Sequence, residues 1–262
     1  MLKTRLIPVL LLKNGMLVRA EYFNYFQVLG NPIVEVERYN EWNVDEIIYL
    51  DITRDGNYDQ MRSDTVNIDM DNPYVILESV SKTCFMPLTW GGGIKSVKQM
   101  KKIFKRGADK ITINSAAVDN PELITEAATN FGSQAIVLSI DVFKHNDGTY
   151  EVFSDCGKKP SGKIPEDWIV EVQDRGAGEI LLNSINRDGS GEGYDLKLIE
   201  IAKLNSHIPI IACGGAGEYS HYVEAVNAGA DAVAAANIFH FKELSDLASK
   251  QVMAKSDINV RL

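Results

Sequence analysis

Cysteine and histidine are scarce in this chain. Cys84, Cys156 and Cys213, with His145, His207, His221 and His240, are scattered without a CxxC pair or a metal-ligand spacing. No disulfide framework or zinc-type site organises the fold on that pattern. Basic charge is short as well: 27 Lys and Arg against 36 Asp and Glu give a net charge of -9, the wrong sign for a surface that neutralises nucleic-acid phosphates. An anionic small molecule must then be held by local donors such as backbone N–H groups, not by a basic field. Long apolar runs are also missing. MLKTRLIPVLLL ends at Lys13-Asn14-Gly15 with no small-residue cleavage site, so it reads as a buried first strand and not a secretion signal. Nothing approaches the roughly 18 apolar residues of a membrane helix. The expectation is a reduced, cytoplasmic protein without a metal, a cofactor, a nucleic-acid partner or a membrane.

The chain is instead rich in copies of itself. Residues 46–56, EIIYLDITRDG, align without a gap on residues 179–189, EILLNSINRDG. Gly93 precedes the GAD at Gly107 by fourteen residues, and Gly215 precedes the GAD at Gly229 by the same number. The same offset lays IPVLLLKNG (7–15) over VLSIDVFKH (137–145), so Leu11 falls opposite Asp141. Short apolar, β-branched runs predict eight strands: Leu6–Leu12, Ile47–Ile52, Met86–Thr89, Ile111–Asn114, Ala135–Val142, Ile180–Ser184, Pro209–Ala212 and Val233–Ala236. They are apolar on both faces and separated by helical periods such as 97–106, 121–130, 165–175 and 219–228, which calls for a parallel sheet covered by helices. Pro121 and Pro165 suit first helical positions, with Asn120 as an N-cap. Four units matching four describe an α/β (β/α)8 barrel over residues 1–262, with half-barrels at about 1–130 and 131–262 and an active site at the C-terminal strand ends. An open doubly wound sheet is the alternative, and it does not predict matching halves.

Candidates for chemistry sit where those strands end. Residues 13–31 form a long insertion after strand one, either a lid or a small hairpin plugging the mouth. Residues 144–159 after strand five suggest a hairpin around Asn146-Asp147-Gly148. The glycine clusters at Gly91-Gly92-Gly93 and around Gly215 are tight turns or anion nests. Their repeat, each followed at equal spacing by Asn114-Ser115 and by Ala236-Asn237, favours two phosphate sites facing each other across the mouth. The ligand is then elongated and anionic at both ends. Asp51, Asp141 and Asp188 are carboxylates placed to move protons. Asp141 ends an almost wholly apolar strand, where burial without a purpose is costly, whereas Asp188 also fits a turn-forming RDG repeated at Asp55. At the opposite strand ends Arg5, Glu46, Lys110 and Glu179 alternate in sign. They are either rim salt bridges or a ring guarding the barrel floor.

The strings DITRDG, GGGI, RGADKITINSAAVDNPELI, GAGEILLNSINRDGSGEGYDL, IPIIACGGAG and AGADAVAAANIFHF resemble the cyclase subunit of imidazole glycerol phosphate synthase over nearly the whole chain. The resemblance implies a heterodimer with a glutaminase, whose ammonia passes along the barrel axis to an acceptor at the mouth. It implies that Gly93, Asn114 and Ser115 hold one phosphate and that Gly189, Gly215, Ala236 and Asn237 hold the other, although the family usually has serine at Asn237. It also makes Arg5, Glu46, Lys110 and Glu179 the ammonia gate and places Asp109 at the glutaminase docking face. The family's two catalytic aspartates correspond to Asp141 and to Leu11, since CLDVKDG in the family is VLLLKNG here. A branch of the family with PVLLLKNG is associated with acetamidino modification of surface sugars, beside a glutaminase and a separate ligase. The leading expectation is therefore ammonia delivery for that modification onto a phosphorylated or nucleotide-linked acceptor. Histidine biosynthesis with Asp188 or Asp51 as substitute acid is one alternative, and a non-catalytic activator of the glutaminase is another.

Overall fold

The computed structural model describes residues 3–42, 44–54, 72–241 and 245–262; Asp55 lies outside the described residues. In chain order the strands are β1 (Arg5–Lys13), β2 (Met16–Glu21), β3 (Tyr25–Gly30), β4 (Ile47–Asp51), β5 (Leu88–Gly91), β6 (Lys110–Ile113), β7 (Ile136–Lys144), β8 (Tyr150–Ser154), β9 (Lys159–Pro160), β10 (Glu179–Ser184), β11 (Ile210–Cys213) and β12 (Ala232–Ala235). The helices are α1 (Pro32–Glu41), α2 (Pro73–Thr83), α3 (Val97–Phe104), α4 (Ser115–Asp119), α5 (Glu122–Phe131), α6 (Pro165–Asp174), α7 (Leu196–Asn205), α8 (Tyr219–Asn227), α9 (Asn237–Phe241) and α10 (Ser245–Lys255). Among the described residues no helix is long and apolar enough to cross a membrane.

Eight strands run parallel in the order β10-β11-β12-β1-β4-β5-β6-β7, and the pairing of β7 with β10 closes them into a barrel. Because side chains alternate across a strand, each strand feeds two cores. Ile7, Val9, Ile48, Val137, Leu181, Ile211, Ala232 and Ala234 pack together as the lumen. Their neighbours, among them Leu6, Leu10, Ile47, Tyr49, Ile111 and Ile180, belong to a larger cluster shared with the helices. Each fully buried aliphatic side chain contributes roughly 1.5–3 kcal/mol, so strands apolar on both faces are what a covered barrel demands. The eight-stranded (β/α)8 architecture matches the sequence expectation.

Two local departures have physical causes, and two expected hairpins are present. The strands expected to begin at Met86 and Pro209 begin at Leu88 and Ile210; Pro87 and Pro209 have no N–H for a ladder, and their carbonyls instead accept from Ile47 and Ile180. Asn120 does not cap α5. That helix starts at Glu122 behind Pro121 with no side-chain cap bond, and Asn120 closes α4 by donating its N–H to Ala116. The insertion after β1 is a hairpin, β2 against β3, and its turn runs through Tyr22 and Phe23 in the left-handed region at φ 51° and 58°. The expected second hairpin is formed by β7 and β8, and a further turn beyond β8 carries Asp155 and Cys156 at φ 54° and 52°.

Candidate functional site at the barrel ends

Arg5, Glu46, Lys110 and Glu179 open their strands on one end of the barrel, and the four side chains converge. Arg5 Nη1 donates to Glu46 Oε2 at 2.7 Å and Arg5 Nη2 lies 3.0 Å from Glu179 Oε1. Lys110 Nζ lies 3.0 Å from both Glu46 and Glu179. Thr89 adds a hydroxyl bond to Glu46 at 2.8 Å. Glu46 is 2% exposed, so these are not rim charges screened by water. They form a closed ring, neutral in total, beneath the apolar lumen. Asp109 stands beside this end and is exposed. Its carboxylate accepts the Leu88 N–H at 2.8 Å, just as the GAD aspartate of the other half, Asp231, accepts that of Ile210 at 3.0 Å. Strand anchoring is thus one role that Asp109 certainly has.

At the other end of the lumen Asp141 sits 6% exposed. Asn114 Nδ2 donates to its Oδ2 at 2.7 Å and Ser139 Oγ lies 3.4 Å from its Oδ1; Asn183, in register with it on β10, is a further hydrogen-bond partner. Burial pushes the Asp141 carboxyl up from 3.8 to about 7, against the donors Ser139, Asn183 and Asn114 and with the help of the nearby Asp188 charge. A carboxyl poised there can give or take a proton near neutrality. The amide oxygens of Asn114 and Asn183 are buried without a hydrogen-bond partner. Leu11, the repeat partner of Asp141, is half-buried and packs on the lumen cluster with Leu50, Cys213 and Ala236, where it has no proton to move.

Asp188 leaves the barrel on a short 3-10 turn after β10. Its carbonyl accepts the Tyr22 N–H at 3.0 Å and its Oδ2 the Phe23 N–H at 3.2 Å, which ties the β2–β3 hairpin across the mouth. Burial raises its carboxyl to about 6, with the Phe23 N–H opposing and Glu21 adding to the rise. Asp51 is turned to local use, its Oδ1 accepting the Thr53 N–H at 3.0 Å.

A cavity of about 200 Å³ opens beside Asp188 and is lined by Gly189, Gly215, Ala236, Asn237 and Arg19 among others. The four residues expected to hold the second-half phosphate are therefore together. Glycine is required at position 215: its φ is 108°, and a Cβ would fall 2.2 Å from the Gly193 carbonyl oxygen. The first-half residues lie across the mouth. Gly93, at φ 63°, borders open space, Asn114 is bound to Asp141, and Ser115 Oγ accepts the Asp155 N–H at 2.9 Å. Three residues of the site escaped the sequence reading: Arg19, Ser139 and Asn183. Asn183 had a signal, because it replaces Leu50 in the repeat as Asp141 replaces Leu11.

The family profile described as histidine biosynthesis protein matches residues 5–245. Among curated relatives, the imidazole glycerol phosphate synthase subunit HisF of Thermotoga sp. (strain RQ2) is 42% identical over 262 residues, covering 100% of this chain and 99% of the relative. The same-named subunit of Gluconacetobacter diazotrophicus is 40% identical over 264 residues, with 100% and 97% covered, and that of Alkaliphilus metalliredigens is 40% identical with both chains covered in full. With a matching profile and this identity from end to end, the chain belongs to the HisF family.

Proposed function

We propose that this chain is the synthase subunit of a glutamine amidotransferase pair, an enzyme that joins ammonia arriving through its lumen to an acceptor held at its mouth. The observation that carries the reading is the shared axis. A neutral ring of four charges, Glu46 buried and the other three half-buried, stands at one end, an apolar lumen follows, and a carboxyl raised to about 7 stands at the other. Uncharged ammonia crosses such a lumen far more cheaply than ammonium, because an ion there loses its hydration. At the mouth, Asp141 in its ionised form takes a proton from the attacking amine, and in its neutral form gives one to the leaving oxygen. A HisH-like glutaminase subunit docks at the ring end near Asp109 and forms the heterodimer.

Histidine biosynthesis is the setting that the family description and the relatives' names support. They lend nothing to the expectation of acetamidino sugar modification. In the histidine setting Asp188, half-buried beside the mouth and raised to about 6, supplies the second proton-transfer group that Leu11 lacks. The sugar reading, in which a separate ligase takes part, keeps one observation in its favour, the aliphatic Leu11 opposite Asp141. Purified chain supplied with ammonium and the histidine-pathway ribonucleotide substrate distinguishes them: imidazole product supports the first, and its absence with an intact fold sinks it. Asp141→Asn that leaves pathway output unchanged would identify a mere activator. Light scattering of the chain mixed with the glutaminase tests the pair itself, and failure to form a 1:1 complex removes every version.

A further inference from the structure

Charge is unevenly spread along this chain. Between Glu78 and Asp109 lie thirty residues without a carboxylate, and Lys95, Lys98, Lys101, Lys102, Lys105 and Arg106 fall within twelve of them. The other 21 of the 27 basic residues face all 36 acidic ones, so the chain-wide shortage of positive charge reverses on one wall of the barrel. Helix α3 sets the geometry. Lys98, Lys101, Lys102 and Lys105 follow an i, i+3, i+4, i+7 spacing and share one helix face, while Met100 and Ile103 are buried on the other and Val97 and Phe104 pack half-buried against the core. All five lysines are exposed. Lys95 follows Gly93 at the mouth and Lys105 precedes Asp109 at the floor, so the stripe runs about 15 Å down the outer wall.

Among the described residues no carboxylate pairs with these six side chains, although basic residues elsewhere find one, as Arg5, Arg175, Lys203 and Lys250 do. Lys102 and Arg106 rest over the Tyr74 ring instead, at 5.9 and 5.0 Å. Helix stability does not account for the arrangement. Like charges three and four residues apart repel, and Lys95 and Lys98 stand at the positive end of the helix dipole, where a carboxylate would suit and none occurs. The face also lacks what a protein or nucleic-acid partner would grip. It has no apolar centre for an interface to close on, and α3 exposes no ring on which bases stack. A convex row of lysine point charges matches a broad sheet of fixed negative charge, which needs no pocket and no register.

We propose that the lysine face of α3 docks the barrel side-on to an anionic lipid surface. The contact is electrostatic and peripheral, since α3 has no exposed apolar side chain to insert. The barrel axis then lies along the surface with the mouth and the floor ring both clear of it, and the proposal stands whatever acceptor the mouth takes. The test is co-sedimentation of the full chain with vesicles of phosphatidylcholine containing about 30% phosphatidylglycerol, against vesicles of phosphatidylcholine alone, at about 50 mM salt. Binding is expected to the first and not to the second, falling steeply as salt rises. Lys98→Gln, Lys101→Gln and Lys105→Gln together should weaken it roughly hundredfold, at about fivefold per lysine. Lys158→Gln, Lys197→Gln and Lys255→Gln remove the same charge from exposed sites elsewhere and should change it by less than about threefold, because charges more than a Debye length from the lipid count little. Unfolding midpoints no lower than the parent's confirm that both variants fold. A parent chain that does not pellet with the anionic vesicles overturns the proposal, as do equal losses in the two variants. Tighter binding to a single-stranded RNA or to a polyglutamate peptide than to the anionic vesicles, at the same salt, overturns it too.

Discussion

Asp141 should weaken the fold that carries it. Its carboxyl titrates at about 7 in the folded chain against 3.8 ordinarily. The raised value means the fold prefers the neutral form. Below pH 3.8 both states are protonated and no penalty exists. As pH rises, the unfolded chain ionises first and stability falls, until the folded carboxyl ionises too at about 7 and the loss is complete. At about 1.36 kcal/mol per pH unit the full loss is roughly 4 kcal/mol, and roughly 3 kcal/mol of it accrues between pH 5 and pH 8. Asp141→Asn keeps the size, can still accept from Asn114 through its one amide oxygen while its NH2 donates to the Ser139 hydroxyl, and never ionises. It should therefore be more stable than the parent at pH 8 by up to about 3 kcal/mol more than at pH 5, or roughly 6–12 °C in Tm for a chain of this length. Paired urea or thermal unfolding at the two pH values measures this. A stability difference that stays constant from pH 5 to pH 8, or an Asn variant weaker at pH 8, would refute the reasoning, which holds that burial and not a hydrogen bond dominates at this carboxyl.

Other perturbations have signs that follow from contacts already given. Glu46→Gln leaves the half-buried Arg5 and Lys110 facing Glu179 alone, and should cost roughly 2–3 kcal/mol, below the full cost of a wholly buried pair, read as a lower urea midpoint. Gly215→Ala drives a methyl against the Gly193 carbonyl at a φ of 108°; a destabilisation of about 2 kcal/mol or more is expected, with loss of phosphate-induced NMR shifts of the Gly189 amide. Tyr22→Asn exchanges a half-exposed aromatic at a φ of 51° for a residue that tolerates this conformation. It should stabilise the chain by up to about 1 kcal/mol, and an unchanged or lower Tm would argue against strain in that turn.

The barrel was legible because covered parallel strands need apolar residues on both faces, and because the halves repeat. The floor ring was legible as alternating signs at matched positions, although only the convergence of side chains separates a ring from a rim. Arg19 was hidden for a different reason. It lies in an insertion without periodicity, and its place at the cavity wall comes from a three-residue turn through Tyr22, Phe23 and Asn24, whose bulky first two residues do not announce a tight hairpin. Ser139 was visible only through its inward spacing from Asp141. Asp188 was legible as a candidate carboxylate that also fits a turn, but nothing in RDG says that hairpin amides will cover it.

The two loops over the mouth are latched crosswise. The hairpin that leaves the first half of the chain closes on Asp188 and Asn237, and the turn that leaves the second half closes on Ser115 and Asp119. Neither half-barrel carries its own roof. A break near residue 130 would separate each floor of glycines from the loop that shelters it, so the halves have complete ligand walls only in each other's company. Each lends its neighbour what it does not keep for itself, and continuity of the chain is what holds that exchange in place.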